Sequence, residues 1–149
     1  MNIVDMLLGE HAVLLSAYAY LEKLCASGEL KEILEAVRAT EALMAQHAVF
    51  EDELLFDELP LQSGGVEDAL KAMRREHDSL PEVFAAIYDA PNLADARRAL
   101  GRLIEFSREH FSLEEHCMFP LAAKMLGPER LEELGKSWAR RRQLASATL

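Results

Sequence analysis

Apolar residues recur at three- and four-residue intervals along nearly the whole chain, the period of one face of an α-helix. Leu7, Leu8, His11, Leu14, Leu15 and Tyr18 mark the first such face. Asn2 precedes it as an N-cap, with Asp5 in the reciprocal position of a capping box. Ser27-Gly28 ends this segment near Cys25. A second begins near Glu29 and carries Ile33, Leu34, Val37, Leu43, Met44, His47, Phe50 and Leu54 before Pro60 stops it. After the loop Leu61-Gln-Ser-Gly-Gly65, Glu67 and Asp68 put negative charge at the start of a third helix, where the backbone dipole favours it. Its apolar face is Leu70, Met73, His77, Leu80, Phe84 and Ile87, and it ends around Asp89-Ala-Pro91. Asn92 caps a fourth, through Leu100, Leu103, Phe106, His110, Leu113 and Cys117. Gly127-Pro128 then breaks the chain, with Pro128 suited to a first helical position. The last segment, from Glu129 to about Gln143, has a weaker stripe of Leu131, Leu134 and Trp138. Pro81 and Pro120 each lie four residues after a histidine and leave its carbonyl without the usual donor, which bends a helix without ending it.

No stretch alternates as a strand would. Four long helices joined by short turns predict an all-α, up-down-up-down four-helix bundle over residues 1–126. Residues 127–149 form a short C-terminal fifth helix and tail, packed on the bundle or extending from it. The last segment, with Trp138 and the Arg140-Arg141-Arg142 cluster, is left to pack on the bundle or to meet a partner.

Composition narrows the function. At 149 residues the chain fits one domain with a full apolar core. Its net charge of −10 argues against a nucleic-acid partner, and Arg140-Arg141-Arg142 is too short a basic run to reverse that. No run approaches the ~20 apolar residues of a membrane span, and Met1-Asn2-Ile3-Val4-Asp5 lacks the basic start of a leader. A soluble, cytoplasmic protein is expected. Cys25 and Cys117 fall on the order of 30 Å apart along the bundle, too far for a bridge, and are expected as buried thiols.

The chemistry lies in His47-Ala-Val-Phe-Glu51 and His110-Phe-Ser-Leu-Glu114. Each places an imidazole and a carboxylate four residues apart, on one helix face. The likeness runs further, since HAVFEDELLF aligns with HFSLEEHCMF, an internal repeat. In an antiparallel hairpin, residues equally far from the turn share a height. Counted from the turns, His11, His47, His77 and His110 agree to roughly 3 to 8 Å at a ~1.5 Å rise per residue. One histidine from each helix therefore meets near mid-bundle, with Glu51 and Glu114 a turn further on. A single histidine on an apolar face is more often an ordinary core residue. A single HxxxE in so acidic a chain is more often a solvated pair. Four imidazoles and two carboxylates at one apolar level are a different matter, because burying them is expensive unless they hold each other or a metal. His116 points sideways from this face, and Glu10 and Glu76 also lie off it, in a surface or supporting role.

Imidazole and carboxylate donors suit iron, manganese or zinc, and two bridging carboxylates favour a pair of ions. One His, then HxxxE, then one His, then HxxxE, over a four-helix bundle, resembles the hemerythrin-like HHE cation-binding family across residues 1–126. The resemblance implies that His11 and His47 ligate one iron, His77 and His110 the other, and Glu51 and Glu114 bridge them. It implies two Fe ions in an oxo- or hydroxo-bridged di-iron centre with room for dioxygen. The oxygen-carrying members place a second histidine four residues from the one on the third helix, where this chain has Met73 and Pro81. They also use an aspartate five residues after its histidine, where this chain has Glu114 at four. A vacant position on one iron is therefore expected. The implied role is binding of dioxygen, nitric oxide or peroxide, in oxygen, redox or iron sensing. The alternatives are enzymatic turnover of peroxide or nitric oxide, and a zinc-stabilised regulatory bundle. Leu14, Tyr18, Met44, Met73, Phe84, Phe106, Leu113 and Met118 are expected to wall a dry cavity. Tyr18, two turns from His11, is placed to bond a bound ligand or to replace a missing one.

Overall fold

The structure, a computed structural model, describes residues 1–59 and 64–146, with side chains over 1–59 and 66–143. The expected turn at 61–65 and the end of the tail, 147–149, fall largely or wholly outside these. Five helices follow in order: α1 (Ile3–Ser27), α2 (Leu30–Leu54), α3 (Gly64–Tyr88), α4 (Leu93–Leu113) and α5 (Phe119–Ser146). A 3-10 turn, Phe56–Glu58, follows α2, and a π-helical segment, Glu114–Met118, joins α4 to α5. Among the described residues there is no strand, and no helix is long and apolar enough to cross a membrane.

Local chemistry sets these boundaries. Asn2 accepts the Asp5 amide while Asp5 accepts the Asn2 amide, satisfying two donors that open α1. Asn92 caps α4 by accepting from the Asp95 amide. Glu29 and Glu32 form the same reciprocal pair at the start of α2. Pro81 sits inside α3 without ending it. Gly127 has φ 76°, a left-handed conformation that only glycine adopts freely, and it divides α5.

α1 packs on α2, α4 and α5, and α3 packs on α2 and α4, closing a four-helix bundle. Two apolar clusters fill it. One holds Leu14, Tyr18, Met44, Phe84, Leu103 and Phe111, and the other Ile3, Leu7, Phe50, Met73, Met118 and Phe119. The four histidines lie between them in the sequence of every helix: His11 between Leu7 and Leu14, His47 between Met44 and Phe50, His77 between Met73 and Leu80, His110 before Met118. The polar layer is thus sealed by hydrocarbon on both sides.

The final stretch of α5, beyond Gly127, lies on the bundle. Leu131 and Leu134 are buried with Ile3 and Leu7. Gly135 comes so close to the start of α1 that an added Cβ would sit 2.8 Å from the Met1 carbonyl oxygen. Over the described residues this segment therefore packs against the start of α1.

Candidate metal centre

All six predicted residues converge and are buried: His11, His47, Glu51, His77, His110 and Glu114 are 0 to 7% exposed. His11 and His47 bring their Nε2 atoms to 3.1 Å, and His77 and His110 bring theirs to 3.0 Å. Glu114 lies between the pairs, with Oε2 3.3 Å from His11 Nε2 and Oε1 2.8 Å from His110 Nε2. Glu51 Oε2 is 3.5 Å from His77 Nε2 and 3.8 Å from His47 Nε2. Two ligand sets result, His11/His47/Glu51/Glu114 and Glu51/His77/His110/Glu114, sharing both carboxylates.

Behind each imidazole stands another carboxylate. His11 Nδ1 is 2.8 Å from Glu115, His47 Nδ1 2.9 Å from Glu10, His77 Nδ1 3.0 Å from Asp52 and His110 Nδ1 2.6 Å from Glu76. The pattern has a two-fold logic. Within each hairpin, the acid preceding the lone histidine serves the histidine of the HxxxE motif. Between hairpins, the acid following each HxxxE glutamate serves the next lone histidine. Glu10 and Glu76 fill the supporting role expected of them. Asp52 and Glu115 were not singled out, although their places directly after Glu51 and Glu114 are the signal that finds them.

These partners fix the tautomers. In a neutral ring, an Nδ1–H that donates to a carboxylate leaves Nε2 as a bare lone pair, the orientation in which metal-bound histidines are held. Two lone pairs facing each other at 3.0 to 3.1 Å repel unless a cation lies between them. Nitrogens ~2.1 Å from one ion and at right angles would be ~3.0 Å apart, so the spacing suits a shared ion. The carboxylates carry the same message: both oxygens of Glu51 and of Glu114 are buried without a well-formed hydrogen bond. Such groups are expensive to bury unpaired.

Electrostatics follow from this crowding. Burial, and then the neighbouring Glu114, raise the Glu51 pKa well above 4.5. Burial opposes ionisation of Glu114 too, but His11, His110 and His77 outweigh it and hold its pKa well down. Burial lowers the pKa of His47 and keeps it neutral. Burial also disfavours charge on His77, yet Asp52 and Glu114 beside it lift its pKa to about 9. Without a cation, protons on His77 and Glu51 do part of its work.

Several expectations need correction. The Tyr18 hydroxyl is engaged by Ser107, to which it donates at 2.9 Å, and Phe111, stacked 4.1 Å from the His11 ring, also stacks on Tyr18. Leu113 does not wall the site but is 45% exposed, being ~60° off the His110 face. Leu14, Tyr18, Met44, Met73, Phe84 and Met118 are buried as expected, and Phe106 is half-buried. Both cysteines are free, but Cys25 is half-buried and Cys117 exposed. In an uninterrupted α-helix Cys117 would share the face of His110, seven residues earlier. The π turn, closed by the Phe119 amide on the Glu114 carbonyl, adds one residue and swings Cys117 outward, seating Met118 in its place. His116 is exposed, its Nδ1 2.7 Å from the Ser112 carbonyl, as its sideways position predicts.

Comparison with known families agrees with this geometry. The family described as Hemerythrin HHE cation binding domain matches residues 2–122 and, in a second overlapping match, residues 68–146. The chain belongs to the hemerythrin family. The two matches overlap across α3 and α4. No curated protein and no solved structure matches the chain.

Proposed function

We propose that this hemerythrin-like protein holds two iron ions and uses them to bind dioxygen or a related small ligand such as nitric oxide or peroxide. His11 and His47 serve one ion, His77 and His110 the other, and Glu51 and Glu114 bridge them. The observation that carries this reading is the convergence of four histidine Nε2 atoms on two shared, buried carboxylates. The nitrogen-rich donor set suits iron, and a ferrous pair when bound supplies the electrons with which such ligands are held or reduced.

The chain supplies the rest. Phe111 and Phe119 stack on His11, Phe56 on His77 and Phe106 on His110, so the rings are gripped and water is kept away. With the ligands almost wholly buried, the site suits diatomic or similarly small molecules rather than a bulky substrate. Each imidazole donates its Nδ1–H to a carboxylate and so stays aligned with the centre. Two histidines per ion, and no third at Met73 or Pro81, leave room for an exogenous ligand.

The test is anaerobic iron loading followed by exposure to dioxygen and then its removal. Reversible absorption changes identify a carrier or sensor. Consumption of dioxygen or peroxide beyond stoichiometry identifies an enzyme. A protein that refuses iron but keeps zinc contradicts both.

A further inference from the structure

The two ligand sets are near copies of each other, but the surroundings of their supporting acids differ at Glu10. Glu10, which holds His47, is only 11% exposed, and three donors converge on it. His47 Nδ1 is 2.9 Å away, Trp138 Nε1 donates at 3.0 Å, and Arg142 Nε donates at 2.8 Å. Arg142 also bonds Gln46 of α2, and its guanidinium lies 4.8 Å from the Phe50 ring and 5.5 Å from Trp138. Trp138 and Arg142 both come from α5, which reaches this spot by turning at Gly127. The equivalent acid in the other hairpin, Glu76, is 36% exposed and bonds His110. Among the described residues no lysine or arginine is seen to bond it, nor Asp52 or Glu115.

From this we infer that Arg142 and Trp138 are positioning residues for one metal position only, the one built on His11 and His47. They act through Glu10, and this rests on the di-metal reading above. A carboxylate this buried is stable only with its charge met. Without Arg142 it would turn toward water and give up the hydrogen bond it accepts from His47 Nδ1–H, freeing the ring to rotate. Arg142 also draws charge from Glu10 and so makes His47 a slightly weaker donor. Loss of a ring-orienting partner typically weakens metal affinity by roughly 10–100-fold, the larger of the two effects. The His77/His110 position has no contact with α5 of this kind and is unaffected. Because coupling is reciprocal, filling the first position also tightens α5 on the bundle.

The probe is Zn(II), titrated into the chelated full-length protein by calorimetry while Trp138, the single tryptophan, is followed by fluorescence. In the wild type, two ions bind and the emission change is complete after one of them. In Arg142→Met, which keeps the packing over Phe50 but removes the charge, one of the two binding steps weakens roughly tenfold or more and the other is unchanged. Trp138→Phe, which removes only the N–H, weakens the same step by less and covers the case in which Arg142→Met does not fold. Arg141→Met removes the α5-to-α2 ion pair with Glu53 without touching Glu10, so it leaves both steps as they were. Equal weakening of both steps, weakening in Arg141→Met as well, or no change in Arg142→Met overturns the inference. A wild type that takes fewer than two ions overturns the di-metal reading itself.

Discussion

Glu51 separates the needs of the fold from those of the centre. Its side chain is wholly buried, both oxygens lack a well-formed hydrogen bond, and its pKa is forced upward. A buried unsatisfied group costs about 1–3 kcal/mol. Glu51→Leu, close in volume, should therefore stabilise the chelated protein by roughly 1–3 kcal/mol in urea unfolding, while abolishing the second metal equivalent. Loss of both stability and metal would mean that Glu51 serves the fold instead. The same crowding predicts pH dependence. His77 has a folded pKa of about 9, above its ordinary 6.5, so its contribution to metal-free stability is fully present below about 6.5 and lost as pH rises through 9. Glu51, also raised, loses stability for the metal-free fold in the same direction. Metal binding must displace these protons, so affinity runs the opposite way. Thermal melts should show the chelated protein more stable at pH 6 than at pH 9. Metal titrations should show affinity rising over that interval, and a flat or inverted profile would count against the proton-for-metal exchange.

Helix period and turn positions were enough to bring four histidines to one height, because bundle geometry ties distance from a turn to depth. What they could not show was phase after a defect. The π segment Glu114–Met118 follows directly on a proposed bridging residue, and its extra residue turned Cys117 out and Met118 in. Pro120 is the visible sign: its missing amide makes an unbroken α-helical ladder impossible there, but it does not say whether the chain will kink or insert a residue. The docking of α5 was equally hidden, since Leu131 and Leu134 make too narrow a stripe to name a partner. Gly135 holds that docking together. An alanine there gains about 1 kcal/mol of helix propensity, but its Cβ would meet backbone atoms of Met1 and Asn2 at 2.8 to 3.1 Å. Gly135→Ala should be destabilising by about 1–3 kcal/mol in chemical denaturation, because backbone cannot step aside as a flexible side chain can. An unchanged or raised midpoint would mean that α5 is held more loosely than its packing implies.

As a whole the molecule is a hairpin used twice, closed around a polar layer that hydrocarbon seals on either side, with α5 strapped across one hairpin. The repeat puts equivalent donors in both halves and shares two carboxylates between them, while the strap reaches only one half through Glu10. The acids behind the histidines were legible as neighbours of the ligands. Which acid serves which ring was not, because the pairing crosses between helices. Two ions per chain, shared through Glu51 and Glu114, are the centre of the proposed function. Iron counted per chain after anaerobic reconstitution, in the wild type and in Glu114→Ala, tests this directly. The account predicts two irons in the wild type and at most one in Glu114→Ala, with the near-ultraviolet absorption that develops in air lost from the variant. One iron or none in the wild type, or two in the variant with its spectrum intact, would contradict it.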